Sequence, residues 1–442
     1  MRNIKSLVVC MLFYFFSCSF VMAQSDKAPA SESLVIIHAG TLLAMPGTPP
    51  ENNKTVLVKN GLIDRIADGF LSATELGLEP NTAKVEDLKD KFVLPGLIDG
   101  HVHIMWRYGS NFRDPAVSGE ELLINGITNA KITLDAGFTT VADLDATANA
   151  WPAIVMRNAI NAGEIVGPRL LTAGSSISPT GGHGDYQEGP DQFLEGLSSS
   201  GLCDGEAECR RAVRRQFRQG ADLIKLHASG GGSERTGGKR HKPSFMEDEF
   251  RGIVETAHSL DLKVTAHAHG TAGIIAALKA GVDSIEHGSF LDKEAIRLFK
   301  KTGAYLLPTL NVQEMIIEQL KTAPPHAKPR LLEFMDEHPA SVVKAWKAKV
   351  NLALGSDAGV VPHGSNVNEL VWFVKVGISE AEAIKIGTIN TATHLGLADK
   401  VGKLATGMSA DIIALTGNPL KDISLLRKID FVMKEGTVFK HD

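Results

Sequence analysis

The stretch Phe92-Val-Leu-Pro-Gly-Leu-Ile-Asp-Gly-His101-Val-His103 decides how this chain reads. An apolar run of strand length gives way to two histidines spaced one residue apart. Residues i and i+2 of an extended segment share a face, so both imidazoles can reach one ion. With 15 His among 442 residues such a pair also arises by chance, so its surroundings must carry the argument.

Those surroundings repeat along the chain. Ala221-Asp-Leu-Ile precedes Lys225, and Leu262-Lys-Val-Thr-Ala precedes His267. Val282-Asp-Ser-Ile-Glu precedes His287, and Asn351-Leu-Ala-Leu-Gly-Ser precedes Asp357. Each run reads as a short strand with a metal-binding or acid–base residue at its C-terminal end. Helical patterns separate the runs. Ser244 to Glu247 reads as a capping box opening a helix to about Leu260, and Thr271–Ala280, Asp292–Thr302 and Val342–Lys349 follow. Strands alternating with helices predict a parallel α/β architecture. In a (β/α)8 TIM-like barrel the strand C-termini converge on one mouth, which would bring these distant positions together.

The flanking segments have a different texture. From Leu34 to about Lys91, and again from Gly402 to about Lys440, short β-type runs are punctuated by Gly, Asn and Pro. Neither is long enough to bury a good core alone. The expectation is one small discontinuous β-domain built from residues 32–91 plus 400–442, with a barrel from 92–399 inserted between its halves.

The first residues read as a targeting segment. Arg2 and Lys5 form a basic start, Leu7 to Phe20 an apolar core too short to span a bilayer comfortably, and Val21-Met22-Ala23 a cleavage pattern before Gln24. Residues 1–23 are therefore expected to be a signal peptide, the alternative being an uncleaved anchor. Export, to the periplasm in a bacterial cell, would take Cys10 and Cys18 away with the leader and place Cys203 and Cys209 in an oxidising compartment. A disulfide could close across that short spacing; two unrelated thiols near a helix start are the other reading. A net charge of −5 gives no reason to expect a nucleic-acid partner.

Histidine and carboxylate donors favour zinc or a similar divalent ion. Lys225 fits such a set only if burial keeps its amine neutral and the amine takes up carbon dioxide. The resulting N6-carboxylysine is a carboxylate on a long arm. Alone, Lys225 would read as a strand-end lysine with its head in water. Asp357 can hold a metal and also take a proton from water, or it can be a plain loop aspartate.

Six motifs in order resemble the amidohydrolase superfamily, in the branch of imidazolonepropionase-like proteins, Xaa-Pro dipeptidases and ochratoxin-degrading amidases. They are Pro95-Gly-Leu-Ile-Asp-Gly-His-Val-His, Pro179-Thr-Gly-Gly-His-Gly-Asp, Ile224-Lys225 through Ala228-Ser-Gly-Gly, Ala266-His-Ala-His-Gly, Ile285-Glu-His-Gly and Gly355-Ser-Asp-Ala-Gly. Gly407-Met-Ser-Ala-Asp-Ile-Ile-Ala-Leu resembles the returning β-segment of that family.

The resemblance implies a binuclear centre of two divalent ions. His101, His103 and Asp357 would hold the more buried ion, His267 and His287 the other, and carboxylated Lys225 would bridge them. His269 is assigned to substrate contact, with a supporting hydrogen bond as the alternative, and His183 is a further candidate contact. The chain departs from dipeptide-cleaving relatives after Ala228-Ser-Gly-Gly, where the loop is rich in basic residues and glycine. Arg235, with Lys239, Arg240 and Lys242, would attract a substrate carboxylate or form a solvated loop.

The implied reaction is hydrolysis of the amide bond of a dipeptide or N-acyl amino acid, as in an Xaa-Pro dipeptidase or carboxypeptidase, by water activated at the metal. The alternatives are a cyclic amide hydrolase of the imidazolonepropionase type, which sits poorly with export, and a non-catalytic zinc- or ligand-binding protein. The resemblance also implies a homo-oligomer.

Overall fold

A computed structural model describes residues 33–109, 117–145, 151–185, 201–231 and 242–442. The leader at 1–23 and the basic residues Arg235, Lys239 and Arg240 lie outside the described residues. Lys242 lies within them and is exposed.

Eight parallel strands form the barrel: β5 (Leu97–Val102), β6 (Phe138–Asp143), β7 (Arg169–Thr172), β8 (Ile224–His227), β9 (Val264–Ala268), β10 (Ser284–His287), β11 (Tyr305–Leu307) and β12 (Asn351–Leu352). Strands β5–β6–β7 pair in order, as do β8 to β12. Two seams join these arcs into a ring. Ile177, just past β7, accepts from the His227 amide at 3.0 Å and donates to the Lys225 carbonyl at 2.8 Å. On the other side Gly100 N donates to Leu354 O at 2.8 Å and Asp357 N to His101 O at 2.9 Å. The barrel strands are buried nearly throughout, which is why they read as continuous apolar runs without alternation.

Helices follow the strands on the outside, including α1 (Gly119–Asp135), α2 (Trp151–Asn161), α3 (Glu206–Gln219), α4 (Glu247–His258), α5 (Thr271–Ala280) and α6 (Lys293–Thr302). After β11 come α7 (Val312–Thr322) and α8 (Lys328–Lys347). Among the described residues no helix is long and apolar enough to cross a membrane.

A second sheet of seven strands has the order β15–β14–β13–β4–β1–β2–β3. Its strands β1 (Leu34–Leu42), β2 (Glu51–Lys59), β3 (Leu62–Asp68) and β4 (Lys84–Pro95) come from one end of the described chain. The other end supplies β13 (Ile412–Leu415), β14 (Phe431–Lys434) and β15 (Thr437–His441). The halves meet where β4 pairs antiparallel with β13, Val93 opposite Ala414 and Leu94 opposite Ile413. Ile37, Val56, Val93, Ile412 and Phe431 close a core that neither half could bury alone. The fold is thus a (β/α)8 barrel carrying a small β-sheet made from both ends.

Three details depart from the sequence reading. The run from Phe92 to Asp99, read as one strand leading into His101, divides at Gly96. Phe92–Pro95 belongs to the outer sheet, and the barrel strand begins at Leu97. A side chain at Gly96 would put its Cβ 2.1 Å from Thr139 Oγ1, so glycine alone lets the chain cross between the two sheets. The helix expected from Ser244 starts two residues later: Ser244 N is committed to the Ala228 carbonyl at 2.9 Å. Glu249 instead turns back to the Met246 amide at 2.7 Å and caps the first turn. The helix expected over Val342–Lys349 is the end of the twenty-residue α8, which runs through Pro339, a residue that reads as a break in the sequence.

Candidate metal centre

The ends of β5 and β12 build one donor cluster. His101 Nε2 lies 3.3 Å from His103 Nε2 and 3.4 Å from Asp357 Oδ1, and His103 Nε2 lies 3.1 Å from the same oxygen. Ligands bound at 2.0–2.1 Å in a tetrahedral zinc site stand about 3.4 Å apart, so the three atoms already have the spacing of ligands around one ion. The rest of the cluster is equally shaped. His103 stacks on Trp106 with ring centroids 3.8 Å apart. A Cβ at Gly359, whose φ is +117°, would come within 2.8 Å of His103 Cβ, so the turn after Asp357 needs glycine to pass the imidazole.

β9 and β10 build a second cluster beside it. His267 Nδ1 and His287 Nε2 face one another at 2.9 Å, and the His101 and His287 rings are 5.3 Å apart. Lys225 is 2 % exposed, and its Nζ has no hydrogen-bond partner among the described residues. Burial pushes this amine below the usual lysine range, against the pull of Glu286, Asp357 and Asp145. A buried, unpaired amine in a ring of histidines suits conversion to a carbamate much better than it suits an ammonium. The donor set and the unpartnered Nζ therefore fit a divalent-metal centre with Lys225 as a carboxylate-bearing arm.

Electrostatics keep three of the imidazoles and the Asp357 carboxylate in ligating form. Burial, the largest effect, drives His101, His267 and His287 well below the ordinary imidazole range, and neighbouring cations or histidines add to it. Their lone pairs stay free at neutral pH. Burial would raise the Asp357 carboxyl, but His101, His103 and Lys225 outweigh it and hold the group at about 2. Burial likewise lowers the His103 imidazole, and Asp357 and Asp145 overcome that and raise it.

A supporting set orients the first ring of donors, and most of it was missed from sequence. Glu286 Oε2 meets His101 Nδ1 at 2.7 Å, and Thr265 Oγ1 donates to Glu286 Oε1. Thr309 Oγ1 meets His287 Nδ1 at 2.7 Å, and the Asp145 carbonyl stands 3.4 Å from His103 Nδ1. Asp99 Oδ1 accepts from the His101 amide at 3.0 Å and the Ser356 amide at 3.1 Å, tying both ends of the seam; burial lifts its carboxyl to about 6. Such partners fix the imidazole tautomer and ring orientation.

Backbone strain contributes too. His287, Thr309 and Asp357 have φ of +68°, +54° and +59°, left-handed values that non-glycine residues rarely adopt. This explains how Glu286 and His287, adjacent in sequence, both reach the centre: the left-handed residue breaks the strand's alternation.

The remaining candidates sit around the rim of the centre. His269 is buried, stacks on His287 with centroids 4.5 Å apart, and its Nδ1 meets Ser289 Oγ at 2.8 Å. His183 is half-buried and stacks on His267 at 4.3 Å. His227, which sequence reading passed over, lies two residues beyond Lys225 and closes against both, 5.0 Å from His183 and 5.3 Å from His267 by ring centroid. Its position at i+2 from Lys225 on a strand is the signal that was available. A disulfide joins Cys203 and Cys209, Cα atoms 4.9 Å apart, at the entry to α3. Cys203 N donates to Ser178 O at 3.1 Å, so the bridge anchors a segment lying against the loop that carries His183.

The same arrangement has counterparts among known proteins. Ochratoxinase of Aspergillus niger is 34 % identical over 445 residues, covering 95 % of this chain and 88 % of that protein. The crystal structure of a Xaa-Pro dipeptidase with bound methionine superposes with a TM-score of 0.84 at 35 % identity, over 92 % of this chain and all of the other. The A. niger ochratoxinase structure gives a TM-score of 0.82 at 30 % identity, covering 93 % and 96 %. Imidazolonepropionase of Deinococcus radiodurans is more distant, 25 % identical over 365 residues, covering 78 % of this chain and 82 % of that one. The family model for the amidohydrolase family matches residues 92–439, and with a barrel whose strand ends gather His101, His103, Lys225, His267, His287 and Asp357, this chain belongs to the amidohydrolase family, a family of metal-dependent hydrolases acting on amide and peptide bonds.

Proposed function

We propose that this protein hydrolyses the amide bond of a dipeptide or N-acyl amino acid with two divalent ions, zinc, held at the barrel mouth. The observation that carries the reading is Lys225: a buried amine with no hydrogen-bond partner among the described residues, beside the His101–His103–Asp357 and His267–His287 clusters. His101, His103 and Asp357 would hold one ion and His267 and His287 the other, with a carboxylated Lys225 shared between them. To carry that group its Nζ bonds to the carbon of carbon dioxide and sheds a proton, leaving an anionic oxygen pair on a long arm.

Bound divalent ions supply Lewis-acid polarisation of a carbonyl and make water a stronger acid. Asp357, ionised at neutral pH, takes the proton of the attacking water and delivers it to the leaving nitrogen. His269, packed beside His287, contacts the substrate carbonyl, and its bond to Ser289 Oγ fixes its ring. His183, stacked on His267, is a second contact. Similarity to a Xaa-Pro dipeptidase and to ochratoxinase, both at 34–35 % identity over more than nine-tenths of this chain, supports an acyclic amide substrate over the cyclic amide that the 25 % relative's name suggests. Export as a cleaved, periplasmic protein and assembly into a homo-oligomer belong to the same proposal.

The deciding experiment is a screen of dipeptides and N-acyl amino acids against metal-loaded protein. Turnover confined to acyclic amides with a free carboxylate is the expected result. Turnover of imidazolone-type rings alone, or of nothing in either pool at full metal occupancy, overturns it.

A further inference from the structure

His267 has two nitrogens and uses only one of them at the centre described above. Its Nδ1 faces His287 Nε2 at 2.9 Å. Its Nε2 points away, is buried in a residue 5 % exposed, and has no hydrogen-bond partner among the described residues. A buried imidazole nitrogen without a partner is costly, so its surroundings bear inspection. Two other histidines pack against this ring. One donor atom each from His183, His227 and His267 lie within 4.8 Å of one another. The Asp145 carboxylate, 4.0 Å from His227 Nε2, adds negative charge next to this trio.

We propose that His183, His227 and Nε2 of His267 form a further seat for a transition-metal ion on the outer side of the centre, used in exchange with the His267–His287 position. Three imidazoles suit zinc, copper or nickel. The exclusivity follows from valence: a neutral imidazole has one lone pair, so His267 serves the inner position or the outer seat at any moment. The seat as it stands is open. Ligands of a tetrahedral ion stand about 3.4 Å apart, and His183 now lies nearly parallel to His267, 20° between the planes. Closing the seat requires His183 to turn its ring edge inward, and its Gly-Gly-His-Gly turn is short of side chains that would resist. An ion in this seat takes His267 away from His287, so the seat acts in loading and exchange.

The inference rests on the metal-dependent reading, and its test separates the two. His287→Ala removes the inner partner of His267, and His287→Asn does so with less loss of volume, in case the alanine form does not fold. Full-length protein carrying either change, alone and with His227→Ala, is equilibrated with zinc. The ions are counted after dialysis and located by anomalous scattering at the zinc edge. The expected result is a zinc peak bounded by His183, His227 and His267 in the His287 variant. That peak disappears, with one ion fewer per chain, when His227→Ala is added. No peak between those residues, with equal counts in single and double variants, overturns the seat. A wild-type count below two ions overturns the binuclear reading, while the peak still decides the seat.

Discussion

Glu286 on β10 reaches across the barrel to His101 on β5, Oε2 to Nδ1 at 2.7 Å, with neither residue more than 1 % exposed. The pair fixes the histidine with its Nδ1–H donated to the carboxylate and its Nε2 lone pair turned to the ligand cluster. Glu286→Gln can present the wrong group to that nitrogen and weakens the basicity of the ligand. Metal affinity is expected to fall about 10–100-fold, the usual cost of losing such a partner. Competition with a metal indicator measures it, and an unchanged dissociation constant would show that His101 is oriented by the backbone alone.

Lys225→Ala removes the proposed carbamate. Activity should be lost with one or both ions, and short-chain carboxylic acids added to the variant should restore part of it by occupying the vacated space. Lys225→Glu should retain some metal but misplace it, because a glutamate is shorter than a carbamate. Mass spectrometry under mild conditions reads the carbon dioxide adduct. A fully active Lys225→Ala protein would remove the carbamate from the mechanism.

Asp357→Asn keeps the side-chain shape and removes the proton acceptor. Turnover at equal metal occupancy should fall roughly 10²-fold or more. Near wild-type turnover with both ions bound would reduce Asp357 to a ligand and pass the proton to another group, His269 first.

Acid stability follows from the buried histidines. His101, His267 and His287 have folded-state values well below 6.5, while in the unfolded chain they titrate near 6.5. The unfolded state therefore binds more protons below that pH. The contribution of these three imidazoles is full above about pH 6.5 and is lost as pH falls from there toward the folded values, at about 1.4 kcal/mol per pH unit for each fully titrating histidine, while His103, raised by Asp357 and Asp145, acts in the opposite sense. Asp357, depressed to about 2, adds a second loss only below about pH 4. Denaturant titration of metal-free protein at pH 7 and pH 5.5 tests the first window. Equal midpoints and slopes at the two pH values would contradict it.

The Cys203–Cys209 bridge closes a loop of six-residue separation, for which the loop-entropy estimate is about 2 kcal/mol. Replacing both cysteines by serine should lower the denaturation midpoint by a corresponding amount. It should also raise KM more than it lowers kcat, because Cys203 holds the segment beside the His183 loop and not the metal ligands. Peptide mapping of unreduced protein checks that the bond is present. An unchanged midpoint in the serine variant would show the bridge to be incidental.

The barrel and the gathering of His101, His103, Lys225, His267, His287 and Asp357 toward its mouth were legible in the sequence because a strand of this fold announces itself twice. Its buried faces produce an unbroken apolar run, and its chemistry sits at or just past the C-terminal end of that run, as for His267, His287 and Asp357, with Lys225 one position into its own strand. The pairing of the chain's two ends was legible for a related reason: Leu34–Lys91 and Gly402–Lys440 each carry strands without enough apolar residues to close a core. The tertiary structure decided everything that depends on contacts between distant strands. Glu286 looks like any strand glutamate until β10 is placed opposite β5. Thr309 acquires a role only through a left-handed turn that brings it to His287. Ser244 has the chemistry of a cap but spends its amide on Ala228. Gly96 divides what reads as one strand because Thr139 stands where a side chain would be. Periodicity and motif spacing report which side of its own element a residue faces, whereas hydrogen-bond partners, backbone strain and the shared imidazole of His267 arise from packing between elements, which no local pattern encodes.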